Sequence, residues 1–241
     1  MTRVAVLQSN YIPWKDYFDI IHNVDVFIFY DDVQFTKNDW RNRNRIKTQA
    51  GIPWLTIPTG IDLNRLICEV RLTDPHWQKK HWKSLLQWYG RCLYFSDYRG
   101  FFEDFYLRTR WESLSELNQY LIRHIATSFL GIRTSFRSST EFALAGRKAD
   151  RLLELLKQVG TDVYLSGPSG QGYIDARAFQ EAGIELEYMD YRGYPEYSQV
   201  YPPFVHEVSI VDLLFHVGPD APYYIWGWRT GEGRNASVAN P

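Results

Sequence analysis

Val4-Ala5-Val6-Leu7-Gln8-Ser9-Asn10-Tyr11-Ile12-Pro13-Trp14-Lys15-Asp16-Tyr17-Phe18-Asp19-Ile20-Ile21, with the apolar run 24–30 and then Asp31-Asp32, is the stretch that decides the fold. Residues 4–7 form a short apolar run that stops at the polar Gln8-Ser9-Asn10, as a buried strand and its exit loop do. Pro13 suits a helix start, because the N–H it lacks would find no partner there. Trp14, Tyr17, Phe18 and Ile21 then recur at helical spacing. Residues 24–30 read as a second buried strand with Asp31-Asp32 at its carboxyl end. Strand, helix and strand make a β-α-β unit, whose two strands are parallel neighbours.

Working outward, residues 52–58 and 67–72 read as strands of a hairpin or sheet extension. Residues 75–130 are helical in pattern, with breaks near Gly90 and Gly100. Leu114, Leu117, Leu121, Ile125 and Phe129 make one apolar stripe there, which Gly131 ends. The α/β alternation resumes with strands at 132–136, 163–165 and 184–189 and helices at 148–159, 173–181 and 208–217. The expected fold class is α/β: an open, mostly parallel, Rossmann-like sheet carrying a helical insertion. Residues 1–74 and 131–230 would form the core, 75–130 the insertion and 231–241 a loose tail.

Composition narrows the partners. The net charge of −1 excludes a general nucleic-acid binder, which carries a large basic excess, so DNA is not expected as a partner. Cys68 and Cys92 are too few for a disulfide framework and have no metal-ligand spacing around them. No apolar run approaches the roughly 18 residues of a membrane span, and the N-terminus does not read as a signal peptide. A cytoplasmic protein is the expectation. The 17% aromatic content supplies core, and also flat platforms on which sugars and bases stack.

An open parallel sheet binds ligands beyond the carboxyl ends of its strands, where strand order reverses. Three polar turns should meet there: Gln8-Ser9-Asn10-Tyr11, Asp31-Asp32-Val33-Gln34, and Ser166-Gly167-Pro168-Ser169-Gly170. The strongest single feature is Lys37-Asn38-Asp39-Trp40-Arg41-Asn42-Arg43-Asn44-Arg45-Ile46-Lys47, five cations and three amides in eleven residues. If extended, it places Arg41, Arg43 and Arg45 on one face and Asn42 and Asn44 on the other, an arginine row for phosphate or carboxylate. A solvated basic edge strand is the alternative. The Ser/Gly loop can cradle an anion or simply turn the chain. Asp31 and Asp32 could hold a metal, steer an amine, act as a base, or finish the strand. His81 is a candidate base or a structural histidine. Asn118, in the apolar stripe, and Asp212, four residues before His216, are core hydrogen bonders or site residues.

Residues 4–14 with Tyr17-Phe18-Asp19, Asp31-Asp32-Val33-Gln34-Phe35, Trp40-Arg41-Asn42-Arg43-Asn44, Tyr164-Leu165-Ser166-Gly167-Pro168 and Ser209 to Phe215 resemble WbqC-like proteins, encoded in bacterial surface-polysaccharide gene clusters. The chain departs from the family pattern at Ser9 (Pro), Asp16 (Gly), Gln171 (Lys) and His216 (Asn). Asp16 changes how closely a ligand approaches the first helix, and the missing Lys weakens a phosphate contact. A looser similarity to pantothenate synthetase and other nucleotidylyl enzymes covers the same front end, without their His-x-Gly-His at residues 14–17.

The resemblance implies a transferase or ligase placing an acyl or aminoacyl group, such as glycine, on an amino sugar of O-antigen or a related polysaccharide. The sugar would be nucleotide-linked or lipid-linked, and ATP or an acyl thioester the donor. Arg41, Arg43 and Lys47 would clamp phosphates, with Lys37 in the same basic run. Tyr11, Trp14 and Trp40 would stack on sugar or base, with Tyr17 beside them. Gln8, Asn10, Gln34, Asn42, Asn44 and Asn118 would orient polar groups. His81, Asp31 or Asp32 would accept the amine proton, and Ser166, Gly167 and Ser169 would supply donors, with Asp212 a further wall. A non-catalytic binder of an anionic glycan or sugar nucleotide is the competing expectation.

Overall fold

The computed structural model describes residues 1–172 and 174–230; the tail expected from residue 231 lies outside them. Its strands are β1 (Arg3–Leu7), β2 (Val26–Phe29), β3 (Arg43–Arg45), β4 (Trp54–Thr56), β5 (Ser135–Ser138), β6 (Val163–Ser166) and β7 (Glu185–Tyr188). Five of them form one parallel sheet in the order β5-β2-β1-β6-β7. The chain runs outward from β1 through β2 to β5, then returns to the other side of β1. Strand order therefore reverses between β1 and β6, which is where such sheets open a crevice.

Alternation along the strands sorts the two faces. Ala5, Phe27 and Phe29 point into one core, and Val4, Val6, Ile28 and Tyr164 into the other. The second face is covered by α5 (Lys148–Val159), through Leu155 and Leu156, and by α6 (Ala176–Glu181), through Phe179. The first is covered by α1 (Lys15–His22), α4 (Leu114–His124) and α7 (Ile210–Val217), with α2 (His76–Tyr89) and α3 (Phe95–Glu103) outside them. Each large side chain so buried contributes about 1.5–3 kcal/mol. The stripe of α4 lies where its spacing put it, with Leu114, Leu117, Leu121 and Ile125 fully buried. Ser113 caps that helix by accepting from the Glu116 N–H at 3.3 Å, and Gly131 ends the segment at φ +67°.

Three local expectations are corrected. Residues 67–72 are not a strand: Ile67–Glu69 is a 3-10 turn. The partner of β4 is β3, antiparallel, because the Arg/Asn run does adopt the extended form its alternation allows. Gly100 lies inside α3 rather than breaking it. Helix α1 begins at Lys15, since the Pro13 carbonyl is taken by the Ile210 N–H at 2.9 Å and Ile12 sits at φ +37°. No helix among the described residues is long and apolar enough to cross a membrane.

Candidate functional site

Two cavities open side by side at the carboxyl edge of the sheet, at the β1/β6 reversal. The smaller, about 220 Å³, is lined by Leu7, Gln8, Asn10, Pro13, Trp14, Asp16, Tyr17, Trp40, Arg41, Asn44, Gly167, Pro168, Ser169 and Tyr191. The larger, about 620 Å³, is mostly apolar and is lined by Val6, Leu7, Gln8, Tyr30, Arg41, Ala149, Leu152, Tyr164, Ser169, Ile174 and Phe179. Leu7, Gln8, Arg41 and Ser169 belong to both and form the wall between them.

Arg41 is the cation of that wall. Its guanidinium donates to the side-chain oxygens of Asn10, at 3.0 Å, and Gln8. Both acceptors are neutral, and the carboxylate nearest it, Asp39, stands 3.8 Å away at the rim. Its Nε is buried without a partner among the described residues. A half-buried cation held by two amides, with Asp39 at the edge of ion-pair range and a donor to spare, is a prepared anion site.

The backbone that carries Arg41 is tightly stitched. Tyr11 N–H donates to the Trp40 carbonyl at 2.9 Å, and Asn118 Nδ2 donates to the Arg41 carbonyl at 2.8 Å. Asn44 Nδ2 donates to the carbonyls of Tyr11, at 3.1 Å, and Ile12, at 2.8 Å. These bonds hold the strained turn at Ile12, a left-handed conformation unusual for a β-branched residue. Asn42 points inward too, donating to the Ile57 carbonyl at 2.9 Å. Across the wall, the loop after β6 is tight: a Cβ on Gly170 would run into Ser166 Oγ.

The structure thus brings together nine of the residues singled out in the sequence: Gln8, Asn10, Trp14, Tyr17, Trp40, Arg41, Asn44, Gly167 and Ser169. The others lie elsewhere. Arg43 and Arg45 line neither cavity and are half-buried, stacking on Trp54 at 4.0 and 4.6 Å. Lys47 is buried and donates to the Pro203 carbonyl. Lys37 and Gln34 are exposed, and Gln34 donates to the carbonyls of Leu63 and Arg65. Ser166 Oγ is turned to the Gly167 carbonyl at 3.2 Å.

The acid and base candidates are enclosed. Asp31 is fully buried and accepts from the Ser9 N–H at 2.8 Å, Gln119 Nε2 at 3.0 Å and the Ser115 hydroxyl. Asp32 accepts from the Ser139 hydroxyl at 2.5 Å and pairs with Arg151. His81 lies in the helical layer against Trp77 and Tyr106, its Nδ1 2.9 Å from the Tyr11 hydroxyl. Burial pushes its imidazole down to about 3, so it is neutral at ordinary pH. Tyr11 is spent on that contact and on Tyr106, 2.5 Å away. Asp212 accepts from Tyr89, Tyr197 and Gln199 at 2.9, 2.7 and 2.9 Å.

Near Asp212, the Cys92 thiol lies 3.5 Å from His216 Nε2, and His216 Nδ1 lies 2.7 Å from the Asp212 carbonyl. The order is that of a thiol–imidazole–acid relay. Burial, and then Asp212, push the thiol up to about 12, and Nε2 already accepts from the Val200 N–H at 3.1 Å. None of the three lines either cavity, so the trio is a core contact.

Two polar residues lining the smaller cavity, Tyr191 and Asp16, are not among the binding residues the sequence suggests. Tyr191 follows β7, whose end faces the same edge, yet Asp190-Tyr191-Arg192-Gly193 carries no motif. Asp16 stood out there only as a departure from Gly. It lies in the first turn of α1, where the helix dipole favours a carboxylate. Burial outweighs this and holds the carboxyl well above the usual carboxylate range, against the Tyr17 amide and the Trp14 indole, which pull it down.

The WbqC-like protein family matches residues 8–224. An uncharacterized protein, Rv1507c, of Mycobacterium tuberculosis (strain ATCC 25618 / H37Rv) is 43% identical over 227 residues, spanning 93% of this chain and 98% of the relative. No solved structure matches. With the match covering most of its length and the Arg41 cleft inside it, the chain belongs to the WbqC-like protein family.

Proposed function

We propose that this protein is a transferase or ligase of polysaccharide biosynthesis that binds a nucleotide-linked amino sugar at the β1/β6 edge and attaches an acyl or aminoacyl group to it. The observation that carries this reading is Arg41, held by Gln8 and Asn10 in the wall common to both cavities. A diphosphate at Arg41 would send the base and ribose into the larger, apolar cavity. The sugar would enter the smaller one, beside Trp14, Trp40 and Asn44. Ser169, which lines both cavities with Arg41, would add a hydroxyl to the phosphate contacts. The family supports a role in polysaccharide-associated biosynthesis.

The test has two parts. Titration with uridine- or thymidine-diphosphate amino sugars should give saturable binding that Arg41→Ala weakens about 30-fold or more. Incubation with the same sugars plus glycine and ATP, or plus an acyl thioester, should give a product heavier by the acyl group. Absence of binding to every such sugar refutes the reading. The enclosure of His81 and Asp31 favours a second reading, a binding protein without turnover. Tight binding with no heavier product under either donor would select it.

A further inference from the structure

Among the residues lining the smaller cavity, Asp16 is the one acid and Arg41 the one base. No ion pair joins them among the described residues: Arg41 is held by Gln8 and Asn10, with Asp39 at 3.8 Å. Asp16 Oδ1 is buried with no hydrogen-bond partner among the described residues. Trp14, Tyr17 and Tyr191 line the wall with it. A carboxyl that takes the Tyr17 amide and the Trp14 indole yet keeps one oxygen unpaired, beside three aromatic side chains, meets the two requirements of ammonium recognition, an acceptor for N–H and π-faces for the charge.

We propose that the smaller cavity is an amine-recognition pocket, in which Asp16, framed by Trp14, Tyr17 and Tyr191, takes the amino group of the sugar. The proposal rests on the cleft being a nucleotide-sugar site and assigns its polarity, with the anionic end of the ligand at Arg41 and the cationic end at Asp16. A neutral sugar leaves the Asp16 oxygen without a partner. An N-acetylated one brings bulk and no charge. Asp16 therefore selects free amines over hydroxyls and amides at the position it faces.

The protonation state of Asp16 depends on what it meets. Burial favours the neutral carboxyl in the empty cavity, with Asp19 reinforcing it and Lys15 opposing. An ammonium brought against it favours the carboxylate. The probes are free 2-, 3-, 4- and 6-amino-deoxyglucose, with glucose as the control, titrated against the whole chain at pH 7. At least one amino sugar should bind about tenfold or more tighter than glucose. Asp16→Asn, which keeps the side chain's shape, should abolish the preference.

Equal affinity for glucose and every amino sugar overturns the proposal, as does a preference that survives in Asp16→Asn. The control for the underlying reading is uridine diphosphate glucose. If it binds the wild type and not Arg41→Ala while no amine is preferred, the cleft remains a nucleotide-sugar site and the amine assignment falls. If it does not bind and amino sugars are still selected through Asp16, the nucleotide reading is the one that fails.

Discussion

Asp16 and Asp31 belong to the same β-α-β unit, yet their surroundings are opposite. Asp31, at the end of β2, is met by three donors from β1's exit loop and α4. Asp16, at the start of α1, lines a cavity with an oxygen that nothing meets. Like Asp31, much of the helical layer closes its polar groups on one another, as His81 does with Tyr11 and Asp212 with Tyr89 and Tyr197, while Trp77 Nε1 and Asn118 Oδ1 are left unpaired there. At the β1/β6 edge the unpaired atoms are Arg41 Nε and Asp16 Oδ1, in residues that line a cavity. An unpaired polar atom points to a ligand site where its residue also lines a cavity.

The largest effect should come from breaking the closed side. Asp31→Ala strands the Ser9 amide, Ser115 and Gln119, and should cost about 3 kcal/mol, or roughly 9 °C in Tm, by denaturant and thermal unfolding. Arg41→Ala should do the reverse: a loss of nucleotide-sugar affinity of about 30-fold, with stability within about 1 kcal/mol of wild type. If Arg41→Ala unfolds the protein and Asp31→Ala spares it, the division between the regions is wrong.

The two sides should also differ in the sign of their pH dependence. His81 is pushed down to about 3 from 6.5, so the unfolded chain holds one more proton through that window and stability rises with pH there. The slope from this group is at most about 1.4 kcal/mol per pH unit. Asp16 is raised above 3.8, so the folded state holds the extra proton and stability falls as pH climbs past that value. Urea unfolding across pH 4–8 should therefore show His81→Gln losing the acid-side climb. Asp16→Asn should gain on wild type as pH rises. The smallest effect belongs to Lys47→Met, whose ammonium is committed to the Pro203 carbonyl. Its ligand affinity should stay within about twofold.

Much of this fold is legible in the sequence because burial leaves a period. The apolar runs 4–7, 24–30 and 163–165 mark sheet strands that the structure contains, and the stripe from Leu114 to Ile125 marks α4. The Arg/Asn alternation is legible too: Asn42 and Asn44 are buried while Arg43 and Arg45 are only half-buried. Pairing is not legible, because β3 carries only polar residues and nothing in Arg43-Asn44-Arg45 names Trp54–Thr56 as its partner. The site was half legible. Topology gives the edge, and with it Gln8, Arg41 and Ser169. Whether a given Asp or His opens to that edge depends on neighbours distant in the chain. Asp31 is closed by residues 84 and 88 positions away, which no local pattern discloses.

The most direct test is a crystal structure with a uridine- or thymidine-diphosphate amino sugar soaked in. Ligand density is expected between the carboxyl ends of β1 and β6, with the diphosphate on Arg41 and the amino group on Asp16. Density seated instead in the helical layer beside His81, with Arg41 still bonded only to Gln8 and Asn10, would contradict this placement.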